Sequence, residues 1–164
     1  MEISKLRAAD GVSYGLAEVG YDIRLKQDIL FQPGSMIVVY GHMVKTMGQI
    51  QILCPDKEAE IYEGNFVLAS AIEEFRMPDD LVGIVHDKST WARCGLSVAN
   101  TVIEPGWRGY LTLELTYNGT KPLHLPAGTG IAQVVFHQLW EKAIYQGSYQ
   151  DQDNRPVGSA VQQT

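Results

Sequence analysis

The sequence predicts an all-β fold, a sandwich, jelly roll or barrel with one or two short helices. Two observations carry this. Sixteen glycines and seven prolines punctuate the 164 residues at short intervals. Between them lie short runs rich in Val, Ile, Leu, Tyr and Thr at roughly ten-residue spacing, the pattern of short strands joined by turns.

Residues 4–9 can form a single N-terminal helical turn. Strands are expected at residues 35–40 (SMIVVY), 49–53 (QIQIL), 66–72 (FVLASAI) and 81–85 (LVGIV). Residues 89–94 (STWARC) read as a short helix, with Ser89 or Thr90 as its cap and Gly95 as its stop. Residues 110–117 (YLTLELTY) alternate best. Leu111, Leu113 and Leu115 fall on one face, and Tyr110, Thr112, Glu114 and Thr116 on the other. A last strand is expected at residues 131–139 (IAQVVFHQL). The chain divides into a body, residues 1–146, and a polar tail, residues 147–164. The tail reads either as a disordered terminus or as an arm.

Composition narrows the function. At 164 residues and 45% hydrophobic, the chain fits one domain with a real core. A net charge of −6 argues against a general nucleic-acid or membrane-surface binder. It leaves room for a small anionic ligand held by a few local donors. Two cysteines, Cys54 and Cys94, read as free thiols in a reducing compartment. The N-terminal residues carry no apolar signal segment, and no apolar stretch approaches a membrane span. The expectation is a soluble, cytoplasmic protein.

Three features carry chemistry. Lys88, Ser89 and Thr90 open a helix directly after a strand, and Arg93 lies about one turn further on. Unpaired N–H groups at a helix start suit phosphate oxygens, although the same residues also make an ordinary capped surface helix. Asn100 and Thr101 lie in a short polar piece whose backbone can read the edge of a base, just before Glu104 and the turn that holds Trp107. Trp107 packs either in the core or against a sugar or base. Glu114 stands mid-strand, where glutamate is disfavoured. Either its face is solvated, or the strand lines a site where a carboxyl can exchange protons.

These segments resemble the dCTP deaminase/dUTPase superfamily, and the deaminases most closely. Residues 86–93 (HDKSTWAR) resemble the deaminase phosphate motif. Residues 103–114 (IEPGWRGYLTLE) resemble the segment that ends in the deaminase glutamate. GYDIRL at 20–25, EEFRMPDD at 73–80, GIAQ at 130–133 and YQDQ at 149–152 match further family segments in the same order.

The resemblance implies a dUTPase-like distorted β-barrel or jelly roll, assembled as a homotrimer with sites between subunits. It implies a deoxynucleoside triphosphate substrate, with Mg2+ carried by the phosphates. The leading reaction is deamination of dCTP to dUTP and ammonia. Glu114 falls on the general acid/base and Ser89 on the serine that meets phosphate and water. Lys88, Thr90 and Arg93 fall on phosphate contacts, and Trp107 on the wall against the deoxyribose. Asn100, Thr101, Gln133, Tyr149 and Gln152 complete the expected substrate contacts. No zinc is expected, because the H-x-E…P-C-x-x-C pattern of zinc deaminases is absent. Glu104 matches the acid with which dUTPases direct water to phosphate. A dUTPase or bifunctional enzyme is therefore the alternative, a non-catalytic nucleotide binder is a third reading, and dTTP is a candidate inhibitor. Three departures stand out. Asp87 replaces the usual Gly, the loop between Leu96 and Ile103 is short, and Ser148 replaces a Lys before Tyr149.

Overall fold

The computed structural model describes residues 5–34, 36–39, 42–45, 48–53 and 58–161, with side chains left aside at 36–39 and 42–45. The first strands are β1 (Leu6–Arg7), β2 (Ser13–Leu16), β3 (Tyr21–Arg24), β4 (Asp28–Gln32), β5 (Met36–Val39), β6 (His42–Lys45), β7 (Gln49–Leu53) and β8 (Glu60–Glu63). There follow β9 (Phe66–Arg76), β10 (Leu81–Asp87), the single-turn helix α1 (Ser89–Ala92), β11 (Leu96–Val98), β12 (Val102–Ile103), β13 (Arg108–Tyr117), β14 (Leu123–Leu125) and β15 (Gly130–Gln138). The all-β expectation holds.

The strands form sheets ordered β1-β2-β3-β15-β10-β12, β14-β4-β7-β8 and β11-β13-β9, with β5 and β6 paired separately. Alternation decides which residues face inward. In β7, Ile50 and Ile52 are buried while Gln49, Gln51 and Leu53 are exposed. Ile23, Leu25, Phe31, Leu96, Ile103, Leu113, Leu115, Ile131 and Val134 join Ile50 in one core. Each such side chain contributes roughly 1.5–3 kcal/mol on burial. A bridge between Leu25 and Ala71 joins β3 to β9. Beside it the Gln27 amide and Ser70 bond each other twice, at 3.1 and 2.9 Å.

Several expectations are corrected. The N-terminal helical turn is not formed over the described residues. Leu6 and Arg7 instead pair with Tyr14 and Ser13. Asp10-Gly11 turns the chain, with the Asp10 carboxylate accepting from Val12 N at 2.9 Å. This Asp-Gly pair is a hairpin signal. Neither Ser89 nor Thr90 caps α1: the N-cap is Lys88, and no side chain bonds the free N–H groups. Leu111 is less buried than Leu113 and Leu115. The β13–β9 register shifts between Tyr110 and Thr112, and residues 71–73 stand against Leu111 alone. At this irregularity Leu111 is only partly buried, packed against the margin of the core and on the cavity wall. The strand ends expected at Ser35 and Tyr40 lie outside the described residues, as do Ser4 and Cys54. Cys94 is a free, exposed thiol.

Gly20 carries the tightest approach in the chain turn before β3. Its φ is +81°, and a Cβ there would fall 2.0 Å from the Val134 carbonyl oxygen. Gly20→Ala is expected to destabilise the protein by about 1–3 kcal/mol, through left-handed strain and displacement of β15. Chemical denaturation of the two proteins checks this.

Candidate active site

A cavity of about 470 Å³ opens where β13, the loop between β11 and β13, and the C-terminal tail meet. Glu114, Glu104, Asn100, Thr101, Trp107, Tyr149 and Gln152 all line it. The structure thus brings seven of the sequence-predicted site residues to one place. Thr112, Leu111, Tyr145 and Val157 also line it, and the sequence reading did not single them out as site residues. Thr112 could have been found, since it shares the Glu114 face of the strand. Val157 could not, because it reaches the cavity only through the path of the tail.

Glu114 is half-buried, between the core residues Leu113 and Leu115. No group among the described residues pairs with its carboxylate, nor with that of the exposed Glu104. The lining includes these two acids and no Lys, Arg or His. Such a lining offers no counter-charge to a triphosphate.

The loop beside Glu114 is built by side chains. Asp87 Oδ1 accepts from Val98 N at 2.7 Å, which gives the residue that replaces a glycine a structural task. Asn100 bonds β13 twice: its Nδ2 donates to Thr112 O at 2.6 Å, and its Oδ1 accepts from Glu114 N at 3.1 Å. Trp107 is buried against Phe75, with ring centroids 6.4 Å apart. Its indole N–H donates to Tyr149 O at 2.6 Å. One tryptophan therefore serves core packing and cavity wall together.

The tail folds back along the start of β13. Gln152 forms a parallel bridge with Gly109. Tyr110 N donates to Gln152 O at 3.1 Å, and Asp151 N donates to Arg108 O at 2.9 Å. The Thr112 hydroxyl donates to Gln152 Oε1 at 3.1 Å and accepts from Val157 N at 3.0 Å. Gly109 permits this docking. Its φ is +135°, and a Cβ there would stand 2.5 Å from Gln152 N.

The expected phosphate residues lie elsewhere. Lys88, Ser89, Thr90, Arg93 and Gln133 do not line the cavity. Ser89, Thr90 and Arg93 are exposed on and just after α1. Gln133 stands opposite His86 on β10 and Asp22 on β3. The Lys88 ammonium turns inward, paired with the buried Asp22 carboxylate and bonded to Ser13 Oγ at 3.1 Å. Asp22 and Ser13 were not anticipated as its partners. No cluster of three or more His, Cys, Asp or Glu able to hold a metal occurs among the described residues. No described helix is long and apolar enough to cross a membrane.

Comparison with known proteins bears on the family and the fold. A family model described as dCTP deaminase-like matches residues 3–139. The dCTP deaminase of Protochlamydia amoebophila (strain UWE25) is 39% identical over 82% of this chain and 71% of its own. That of Psychrobacter sp. (strain PRwf-1) is 36% identical over 90% and 76%. That of Stenotrophomonas maltophilia (strain K279a) is 34% identical over 96% and 84%. Among solved structures, the native dUTPase of EIAV aligns with a TM-score of 0.53 and 17% identity. It covers 82% of this chain and 90% of its own, and it supports the dUTPase-like fold. The chain belongs to the dCTP deaminase-like family.

Proposed function

We propose that this protein hydrolyses dCTP to dUTP and ammonia, with Glu114 as general acid/base. The observation that carries this is an unpaired, half-buried carboxylate on the wall of a cavity free of cations. An unpaired carboxylate is free to take a proton from water as its oxygen adds to C4 of the base. It then returns a proton to the exocyclic nitrogen, which leaves as ammonia. Curated relatives named dCTP deaminase supply the substrate.

Triphosphate binding needs positive charge that this cavity lacks. On the phosphate motif, Arg93, Ser89 and Thr90 are exposed, with Arg93 its one exposed Lys or Arg. The reading is that α1 of a second copy faces the Glu114 cavity in a homotrimer, so that one subunit holds the phosphates and another the base. Mg2+ enters with the triphosphate. The described residues offer no three-donor cage, so the phosphates and water would ligate the ion, as is usual for magnesium. The tail, through Tyr149 and Gln152, forms the remaining wall. The proposed location is the cytoplasm.

Glu104 in the same cavity favours one second reading, hydrolysis of the product dUTP to dUMP and pyrophosphate. One assay separates the two: dCTP and dUTP, each with magnesium, followed for ammonia and for pyrophosphate. Ammonia from dCTP without pyrophosphate is expected. Pyrophosphate lost in Glu104→Ala but kept in Glu114→Ala would establish the second activity. Absence of ammonia from dCTP overturns the main reading.

A further inference from the structure

We infer that Asn100 is a positioning residue that holds Glu114 in place on the cavity wall, a role that rests on the deaminase reading above. The backbone ladder between β11 and β13 runs from Leu96↔Tyr117 to Val98↔Leu115. It ends one step later, where Ala99 N donates to Glu114 O at 2.9 Å. Between that point and the tail bridge at Gly109, no strand among the described residues pairs with this edge of β13. The Asn100 carboxamide takes the place of a peptide group there. Its oxygen accepts from Glu114 N at 3.1 Å, and its nitrogen donates to Thr112 O at 2.6 Å. One side chain thus satisfies two main-chain groups on either side of Leu113.

The place matters. On its other edge, β13 changes register opposite β9 between Tyr110 and Thr112, directly before this stretch. From Thr112 to Thr116 the β9 ladder is regular, so it is on the loop-facing edge, between the tail at Gly109 and Tyr110 and the end of β11, that the Glu114 backbone depends on Asn100. The loop that presents Asn100 is itself anchored from β10, by Asp87 Oδ1 on Val98 N at 2.7 Å and Val85 N on Thr101 O at 3.2 Å. The chain β10, loop, Asn100, Glu114 therefore transmits the position of the core to the reacting carboxyl. A displacement of about 1 Å at such a group can cost roughly 100-fold in rate. The same geometry narrows Asn100 as a direct reader of the base. Its oxygen and one N–H are already engaged with the main chain, leaving one N–H and one lone pair.

The test compares the wild-type full chain with Asn100→Ala and Asn100→Asp. Hydrogen exchange of the Glu114 amide, followed by NMR, reads the clamp without any turnover. Protection at Glu114 should be lost in Asn100→Ala and kept in Asn100→Asp, whose carboxylate still accepts but cannot donate to Thr112 O. With dCTP and magnesium, kcat of Asn100→Ala should fall at least about tenfold while KM stays within about twofold. Asn100→Asp should fall between the two. A raised KM with unchanged kcat would make Asn100 a base contact and overturn the inference. So would unchanged Glu114 protection in Asn100→Ala. Wild-type protein that releases no ammonia from dCTP sinks the deaminase reading instead, while the exchange measurement still decides the clamp. Should Asn100→Ala fail to fold, the intermediate kcat and retained Glu114 protection of Asn100→Asp decide.

Discussion

Glu114→Gln is expected to lower dCTP turnover by about 10²–10⁴-fold, the usual contribution of a positioned acid–base group. The amide keeps the shape of the side chain but neither takes nor gives a proton at neutral pH. Because the Glu114 carboxylate has no partner among the described residues, the exchange breaks no contact in the fold. The melting temperature should therefore stay within the range of an ordinary surface substitution, roughly 0.5 kcal/mol. Nucleotide affinity should be kept as well, since the lost interaction belongs to the transition state rather than to binding. Steady-state ammonia release, a thermal melt and a dCTP binding isotherm measure the three quantities. Near-wild-type turnover removes Glu114 from the chemistry. A large fall in melting temperature would make it a structural acid instead.

The parts of this site that were legible in the sequence are those that local pattern controls. Glu114 and Thr112 share a strand face by simple alternation. The turn before β13 placed Trp107 and Glu104 near that face. Leu111 shows where alternation fails. A period-2 reading assumes one register along the strand, and the shift opposite residues 71–73 breaks it. Such a shift depends on the partner strand, which lies more than thirty residues away in the sequence. The tail was ambiguous for the same reason. Its polar composition permits disorder, but a glycine on β13 opens the space in which Gln152 docks. Asp87 stood out only as a departure from the usual Gly, because the sequence does not reveal that Val98 N is its partner. The motifs pointed to residues of which seven gather at one cavity, whereas long-range pairing decided what each one touches.

The pair between Lys88 and Asp22 gives the largest expected effect on stability. Their side chains are 10% and 5% exposed, and Ser13 Oγ shares both partners. Asp22 Oδ1 has no hydrogen-bond partner among the described residues. The pair is therefore an incompletely compensated buried ion pair, a kind that adds little net stability but is costly to break on one side. Asp22→Ala leaves a buried ammonium with a single hydroxyl and should cost about 3–5 kcal/mol. For a chain of this length each kcal/mol moves the melting temperature by roughly 2–4 °C, so a fall of about 6–20 °C is expected. Asp22→Ala combined with Lys88→Met removes both charges and should recover much of that loss. Equal melting temperatures for the single and double variants would show that the charge pair is not the cause. The same proteins address the phosphate motif. If the Lys88 ammonium left Asp22 to meet a phosphate, Asp22→Ala would gain more stabilisation from magnesium-dCTP than the wild type does, because the ligand would then supply the missing counter-charge. The depth at which Lys88 is held, at the N-cap of α1 and bonded to two strands, favours a strut that fixes the helix start. Equal nucleotide-induced shifts in the two proteins are therefore expected. A larger shift in Asp22→Ala would return Lys88 to the phosphate contacts that its motif suggests.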